Sequence, residues 1–235
     1  VTTEEISFPL DGIKTKDLYR QIEERLKQNP FDFLIIQKGI YLEMYDVMKR
    51  RIAIDFDGDH LNYARKVIAK DPFLRAIGKN RERVLDVSAG LGIDAVFLSQ
   101  NGHRVVALER NPLLYFLLNW SQRHSTNLSS KKVHFEFANS SLFLKKQKDL
   151  NLSFDCIYYD PMFPDKEKTA LPKQEMVVFR QLVGHDTDSV EVLRDILSLG
   201  VRTVVKRPVG AAPIIDKPNN FFESKLIRFD IYEGK

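Results

Sequence analysis

Residues 86–95 read Asp86-Val-Ser-Ala-Gly90-Leu-Gly92-Ile-Asp94-Ala95, and this stretch decides the fold. The segment 84–87 that leads into it predicts a buried strand. Gly90, Gly92 and Ala95 satisfy the pattern G-x-G-x-x-A. The two glycines let backbone N–H groups approach a ligand closely, and Ala95 allows a helix to pack tightly on the strand. A helix over 93–101 follows, closed by Gly102.

Toward the C-terminus the same rhythm repeats. Strands are predicted at 104–108, 133–137, 154–159, 201–205 and 225–232. Between them lie a helix over 112–124 with Pro112 in its first turn, a short helix after Ser141, and helices over 174–182 and 189–199. Strands separated by helices imply parallel βαβ units, so the fold class is α/β: a doubly wound, mostly parallel Rossmann-like sheet. Ligands in such sheets bind beyond the C-terminal strand ends, which assigns the pocket to residues after 87, 108, 137 and 159. The Pro-rich stretch 208–222 reads as an ordered surface loop and a candidate lid.

Toward the N-terminus the pattern differs. Thr15 can cap a helix with Leu18, Ile22 and Leu26 on one face. Residues 33–45 read as a hairpin turning at Lys38-Gly39, and 51–56 as a third strand. Asp57-Gly58-Asp59 breaks that strand and caps a helix through about Lys70. The division is a small α+β N-terminal domain over 1–75 and a main domain over 76–235.

Composition sets the outer bounds. The 235 residues are 43% hydrophobic and 29% charged, as in an ordinary globular protein. No run of about 18 apolar residues predicts a membrane span, and the polar start Thr2-Thr3-Glu4-Glu5 is unlike a signal peptide. Cys156 is the single cysteine, which excludes internal disulfides and a Cys-cluster zinc site. It reads as a small buried core residue of a protein in the reducing cytoplasm. The histidines lack metal-ligand spacing, and neither a P-loop nor a Gly-x-Ser-x-Gly elbow is present. A net charge of +4, with basic clusters at 49–51, 131–132, 145–148, 166–173 and 206–207, permits a polyanionic partner.

Glu109, at the end of the second predicted strand, is placed to accept hydrogen bonds from both hydroxyls of a ribose. Gly90, Gly92 and Glu109 suit NAD and S-adenosylmethionine alike. Two features favour the methyl donor. Asp86 puts a carboxylate where the amino-acid end of S-adenosylmethionine would lie, the less favoured alternative being that Asp86 and Asp94 are only turn or cap residues. The second feature is Asp160-Pro-Met-Phe-Pro164, for which a dehydrogenase has no evident use.

That second motif fits alkylation of an exocyclic base amine, whose lone pair is delocalised into the ring. Asp160 can accept one N–H and the Pro161 carbonyl the other, which favours a pyramidal nitrogen. Proline has a fixed φ, so its carbonyl direction is well set. Phe163 can stack on the base and hold the amine in line. The target base must be unstacked or flipped to enter. Lys166, Lys168 and Lys173, with Lys206 and Arg207, are candidate RNA-phosphate contacts beside the pocket.

The ordered set Asp86-x-x-Ala-Gly-Leu-Gly-x-Asp-Ala95, Leu108-Glu-Arg-Asn-Pro112, Ser140-Ser-Leu142, Asp160-Pro-Met-Phe-Pro164, Val205-Lys-Arg-Pro208 and Arg228-Phe-Asp-Ile-Tyr232 resembles the bacterial small-subunit ribosomal RNA guanine-N2 methyltransferases. The resemblance implies S-adenosylmethionine contacts at Ile93, Asp94, Glu109, Arg110, Ser140, Ser141 and Asp160. It implies methylation of a guanine in the terminal hairpin near the 3′ end of 16S rRNA, presented as RNA or small ribosomal subunit, with no membrane, metal or obligate protein partner. Residues 1–75 would then be the RNA-docking part. Asp55-Phe56 and Arg65-Lys66 match there, but a glycine-rich stretch of the family is replaced by 67–73. The alternatives are a methyltransferase for another base amine, an NAD-dependent oxidoreductase and a non-catalytic RNA-binding module.

Overall fold

A computed structural model describes residues 33–38, 41–46, 48–58, 61, 70–150, 153–163, 174–184, 187–215 and 217–234. In chain order the described elements begin with strands β1 (Phe33–Lys38), β2 (Tyr41–Asp46) and β3 (Arg51–Ala53) and helix α1 (Pro72–Ile77). They continue with β4 (Arg83–Asp86), α2 (Ile93–Gln100), β5 (Arg104–Glu109), α3 (Pro112–His124), β6 (His134–Phe137) and α4 (Ser140–Leu150). The last are β7 (Cys156–Tyr159), α5 (Gln174–Val183), α6 (Ser189–Leu197), β8 (Thr203–Pro208), β9 (Asn220–Glu223) and β10 (Ile227–Tyr232). The predicted helix capped by Thr15 and most of the predicted helix over 59–70 lie outside the described residues.

Seven strands form one sheet in the order β6-β5-β4-β7-β8-β10-β9. Strands β4 to β8 are parallel to one another, and β10 runs antiparallel between β8 and β9. The doubly wound, mostly parallel sheet expected from the sequence is therefore present. The order reverses between β4 and β7, and this switch point brings the turn after Asp86 beside the turn after Tyr159. The parallel strands are buried on both faces, which is why Val84-Leu85 and Cys156 to Tyr159 read as continuous apolar runs. Cys156 is buried as expected, and burial pushes its thiol up to about 12.

One strand was not foreseen. The sequence predicts a loop over 208–222, but β9 occupies the last part of that stretch and pairs with β10 through a hairpin turn. Its ladder places Phe222 opposite Phe229.

The N-terminal strands form a separate antiparallel sheet, β1-β2-β3, in the hairpin register the sequence suggests. Its apolar face is not a separate core. Met44, Ile52, Ile54 and Phe56 belong to the same buried cluster as Leu113, Leu117 and Phe135 of the main domain. This explains the run Leu113 to Leu118, which is buried all the way round α3: β2 lies on one side of the helix and β5 and β6 on the other. Asn111 caps α3, accepting from Leu113 N at 3.0 Å and Leu114 N at 3.2 Å.

Polar ties reinforce that junction. Ser121 Oγ donates to the Ile54 carbonyl at 2.7 Å, and Asn127 Nδ2 to the Phe56 carbonyl at 2.8 Å. The helix that Asp57 is expected to cap lies almost wholly outside the described residues, and Asp57 accepts from Ser125 Oγ, Thr126 N and Asn127 N at 2.9, 3.0 and 2.9 Å. Burial opposes its charge, but these donors outweigh burial and hold the carboxyl below its ordinary value.

Candidate active site

The site grows from the end of β4. Asp86 is 1% exposed, and its Oδ1 accepts the Ser88 backbone N–H at 2.9 Å, which curls the chain into the glycine turn. Gly90 and Gly92 have φ of +53° and +74°, in the left-handed region that glycine tolerates. A Cβ on Gly92 would lie 2.7 Å from Leu118 Cδ2, so the turn sits directly on α3. A Cβ on Gly90 would lie 3.1 Å from the Phe179 ring, at the wall of a cleft.

That cleft has a volume of about 690 Å³, a suitable size for a small organic ligand. Gly90, Ile93 and Asp94 line it from the turn, Glu109 and Arg110 from the end of β5, and Ser140 from the start of α4. Asp160, Pro161, Met162 and Phe163 line it from the end of β7. The two motifs singled out in the sequence therefore face one space. Asp86 and Gly92 lie beneath the turn, and neither they nor Ser141 belong to the cleft wall. The Asp86 carboxylate, placed by the sequence reading toward the amino-acid end of a ligand, accepts the Ser88 amide through Oδ1.

Glu109 is 6% exposed and grips both sides of the cleft floor. Its Oε2 accepts Gly90 N at 2.9 Å and its Oε1 accepts Asn111 N at 2.6 Å. Burial pushes its carboxyl up to about 7, against the pull of those amides and of Arg110. Burial is also the largest cause raising Asp86 to about 8; the Ser88 amide opposes it, and the charges of Asp94 and Asp160 add to it. Arg110 Nη1 donates to Asp188 Oδ2 at 2.8 Å, joining the ends of β5 and the segment before α6. Ser140 Oγ donates to the Val87 carbonyl at 2.6 Å.

The structure adds Ser88 and Tyr158 to the site, which the sequence reading does not single out, and gives Lys206 a new set of partners. Ser88 Oγ accepts the Asp160 backbone N–H at 2.8 Å. Tyr158 donates its hydroxyl to Asp94 Oδ2 at 2.6 Å. Lys206 Nζ reaches Asp94 Oδ2 at 2.7 Å and Asp160 Oδ2 at 2.9 Å. Burial disfavours the ammonium, but the two carboxylates outweigh it and hold its pKa well above that of an ordinary lysine.

The expected phosphate contacts are redistributed accordingly. Lys206 lines the cleft, paired with Asp94 and Asp160. Arg207 is 6% exposed and paired with Asp230, which also accepts from Arg228 Nε at 2.7 Å. Its guanidinium also donates to the Ala211 carbonyl, and the residue lines the cleft. Neighbouring strand residues point to opposite faces, which fits the different partners that the two cations take. Lys166, Lys168 and Lys173 lie outside the described residues.

Comparison with known proteins assigns the class. A solved SAM-dependent methyltransferase from Neisseria gonorrhoeae superposes on 95% of this chain and 94% of its own with a TM-score of 0.68 at 23% identity. The fold is thus that of a Rossmann-like S-adenosylmethionine-dependent methyltransferase. More particularly, the chain belongs to the SAM-dependent methyltransferase family described as "Putative SAM-dependent methyltransferase", which matches residues 18–234. Among its relatives, the ribosomal RNA small subunit methyltransferase J of Bdellovibrio bacteriovorus is 44% identical over 217 residues, 89% of this chain and 84% of that protein. The proteins of the same name from Alteromonas mediterranea and Francisella tularensis subsp. novicida are 36% identical over 213 residues and 32% over 228. These cover 85% and 90% of this chain and 81% and 92% of theirs.

S-adenosylmethionine is the cofactor of this family, and the cleft has the features to hold it. Gly90 leaves backbone where a side chain would close the space against Phe179. Glu109 stands at the end of β5, where a ribose would reach it, and the acidic residues Asp94 and Asp160 suit a ligand bearing a sulfonium and an ammonium. Among the described residues no His, Cys, Asp or Glu cluster suits a metal ion, and no helix is long and apolar enough to cross a membrane.

Proposed function

We propose that this enzyme transfers a methyl group from S-adenosylmethionine to the exocyclic N2 amine of a guanine in small-subunit ribosomal RNA, in the terminal hairpin near the 3′ end. The observation that carries the reading is that Asp160 to Phe163 share the wall of one cleft with Gly90 and Glu109, at the switch point of the sheet. The names of the relatives, ribosomal RNA small subunit methyltransferase J, support the RNA class of the substrate.

The cofactor supplies an electrophilic methyl on a sulfonium that leaves as a neutral thioether. Gly90, Ile93, Asp94, Glu109, Arg110 and Ser140 form the wall that would hold it, with Asp86 and Gly92 shaping the turn beneath and Ser141 following in α4. The Asp160 carboxylate and the Pro161 carbonyl accept the two N–H bonds of the amine, so its lone pair turns out of the ring plane toward the methyl. As the N–C bond forms and the C–S bond breaks, the nitrogen sheds a proton to Asp160. Phe163 stacks on the extruded base, and Met162 and Phe179 exclude water from the reacting side.

The deciding experiment is mass mapping of small-subunit rRNA from cells in which the gene is deleted. One N2-methylguanosine near the 3′ end should be missing and should return when the gene is restored. A complete set of N2-methylguanosines, or a methyl lost from a different atom, would overturn the reading.

A further inference from the structure

Lys206 offers more to the cleft than a counter-ion. An ammonium carries three N–H donors. Among the described residues, two are taken by Asp94 Oδ2 at 2.7 Å and Asp160 Oδ2 at 2.9 Å. The side chain is 22% exposed and lines the same cleft as Pro161 and Phe163. Asp94 is itself fixed by the Tyr158 hydroxyl at 2.6 Å, so the ammonium is anchored from behind.

We propose that Lys206 is a specificity residue that donates to O6 of the target guanine, so that Lys206 and Asp160 together present the hydrogen-bonding face of a cytosine. The inference rests on the guanine-N2 reading given above. Along its Watson–Crick edge guanine displays a donor at N2, a donor at N1 and an acceptor at O6. A carboxylate that accepts from N2–H has its second oxygen placed for N1–H, because the two bonds point the same way. A cation adjoining that carboxylate then meets O6. The order donor, acceptor, acceptor from Lys206 and the two Asp160 oxygens complements guanine alone. Adenine would set its N1 lone pair against a carboxylate oxygen, and cytosine would do the same with N3, so both would be rejected by repulsion as well as by missing bonds.

The test is a cycle between residue and base. Once the methylated position has been mapped, a synthetic hairpin carries guanine or 6-thioguanine there. Sulfur keeps N1–H and the N2 amine but is a weak acceptor. Wild-type enzyme and Lys206→Met are compared for kcat/KM and for equilibrium RNA affinity with S-adenosylhomocysteine bound. The sulfur should cost the wild type roughly 10- to 100-fold, the range of a hydrogen bond from a charged donor. Lys206→Met should be lowered similarly on guanine and be nearly indifferent to sulfur. Lys206→Arg, which restores a cationic donor, should regain part of the discrimination and serves if the methionine variant does not fold. If sulfur penalises Lys206→Met as heavily as wild type, the lysine does not read O6. A mapped product other than N2-methylguanine would instead remove the reading on which the inference rests.

Discussion

The side chain of Ser88 and the backbone of Asp160 are hydrogen-bonded: Ser88 Oγ accepts the Asp160 N–H at 2.8 Å. The glycine turn after β4 and the Asp-Pro-Met-Phe turn after β7, 72 residues apart in sequence, are thereby held as one unit. Ser88 is in turn held through its own amide by Asp86 at 2.9 Å. The floor of the cleft is thus positioned by a chain of short polar contacts before any ligand enters.

Asp160→Ala should abolish methyl transfer while leaving the protein folded. Removing the carboxylate does not orphan Lys206, which keeps Asp94 at 2.7 Å. The loss in turnover should be at least about 100-fold, as for removal of a group that handles the proton. Thermal unfolding and tritium transfer into small-subunit RNA check the two halves together. Wild-type transfer by the variant would discard the mechanism.

Phe163→Ala should weaken RNA capture more than cofactor binding. Base–aromatic stacking contributes about 1–3 kcal/mol, so RNA affinity should fall by roughly 5- to 150-fold. Calorimetric S-adenosylmethionine affinity should change little. Equal losses in both would assign the ring to general packing.

Asp86 and Glu109 predict an unusual pH dependence of stability. Their folded pKa values, about 8 and about 7, lie above the ordinary carboxylate values of 3.8 and 4.5. Below about pH 4 both states hold these protons and no penalty exists. As pH rises the unfolded chain ionises first, so stability falls, by on the order of 1 kcal/mol per pH unit for each group, until the folded group also ionises. Asp86→Asn keeps an oxygen for the Ser88 amide and removes the ionisation. Its stability relative to wild type should therefore climb between pH 5 and 8 and level off above. Parallel denaturation curves across that range would show that Asp86 is ionised in the folded protein.

Gly92→Ala and Gly102→Ala separate backbone strain from crowding. Both glycines have positive φ, +74° and +93°. Gly102 has nothing within 4 Å of a new Cβ, whereas Gly92 would meet Leu118 Cδ2 at 2.7 Å and Phe135 Cζ at 3.0 Å. Gly102→Ala should cost about 1–2 kcal/mol, and Gly92→Ala a further ~1–3 kcal/mol from overpacking. Urea denaturation of the pair gives the difference directly.

What was legible in the sequence followed from local chemistry. Pro112 and the glycines marked turns that any tertiary context would keep, and the strand–helix rhythm fixed the sheet class. What was not legible depended on partners far along the chain. Lys206-Arg207 read as a basic cluster because nothing nearby shows that Asp94, Asp160 and Asp230 wait for them. Asp57 accepts from Ser125 Oγ and Asn127 N far along the chain, which no local pattern announces. Asn220 to Glu223 shows no apolar alternation, being mostly exposed, and becomes a strand only because β10 supplies its ladder.

The sharing of α3 between the two sheets constrains how this chain can vary. Leu113 to Leu118 present apolar side chains to both β2 and the main sheet, so removing the N-terminal strands would leave one flank of the helix bare to water. An exchange of the first 60 or so residues between relatives would have to bring a matching Ser121, Ser125 and Asn127 with it. The N-terminal sheet and the seven-stranded sheet thus depend on one another through α3, and a change of substrate should come by point substitution at the cleft rim more readily than by trading modules.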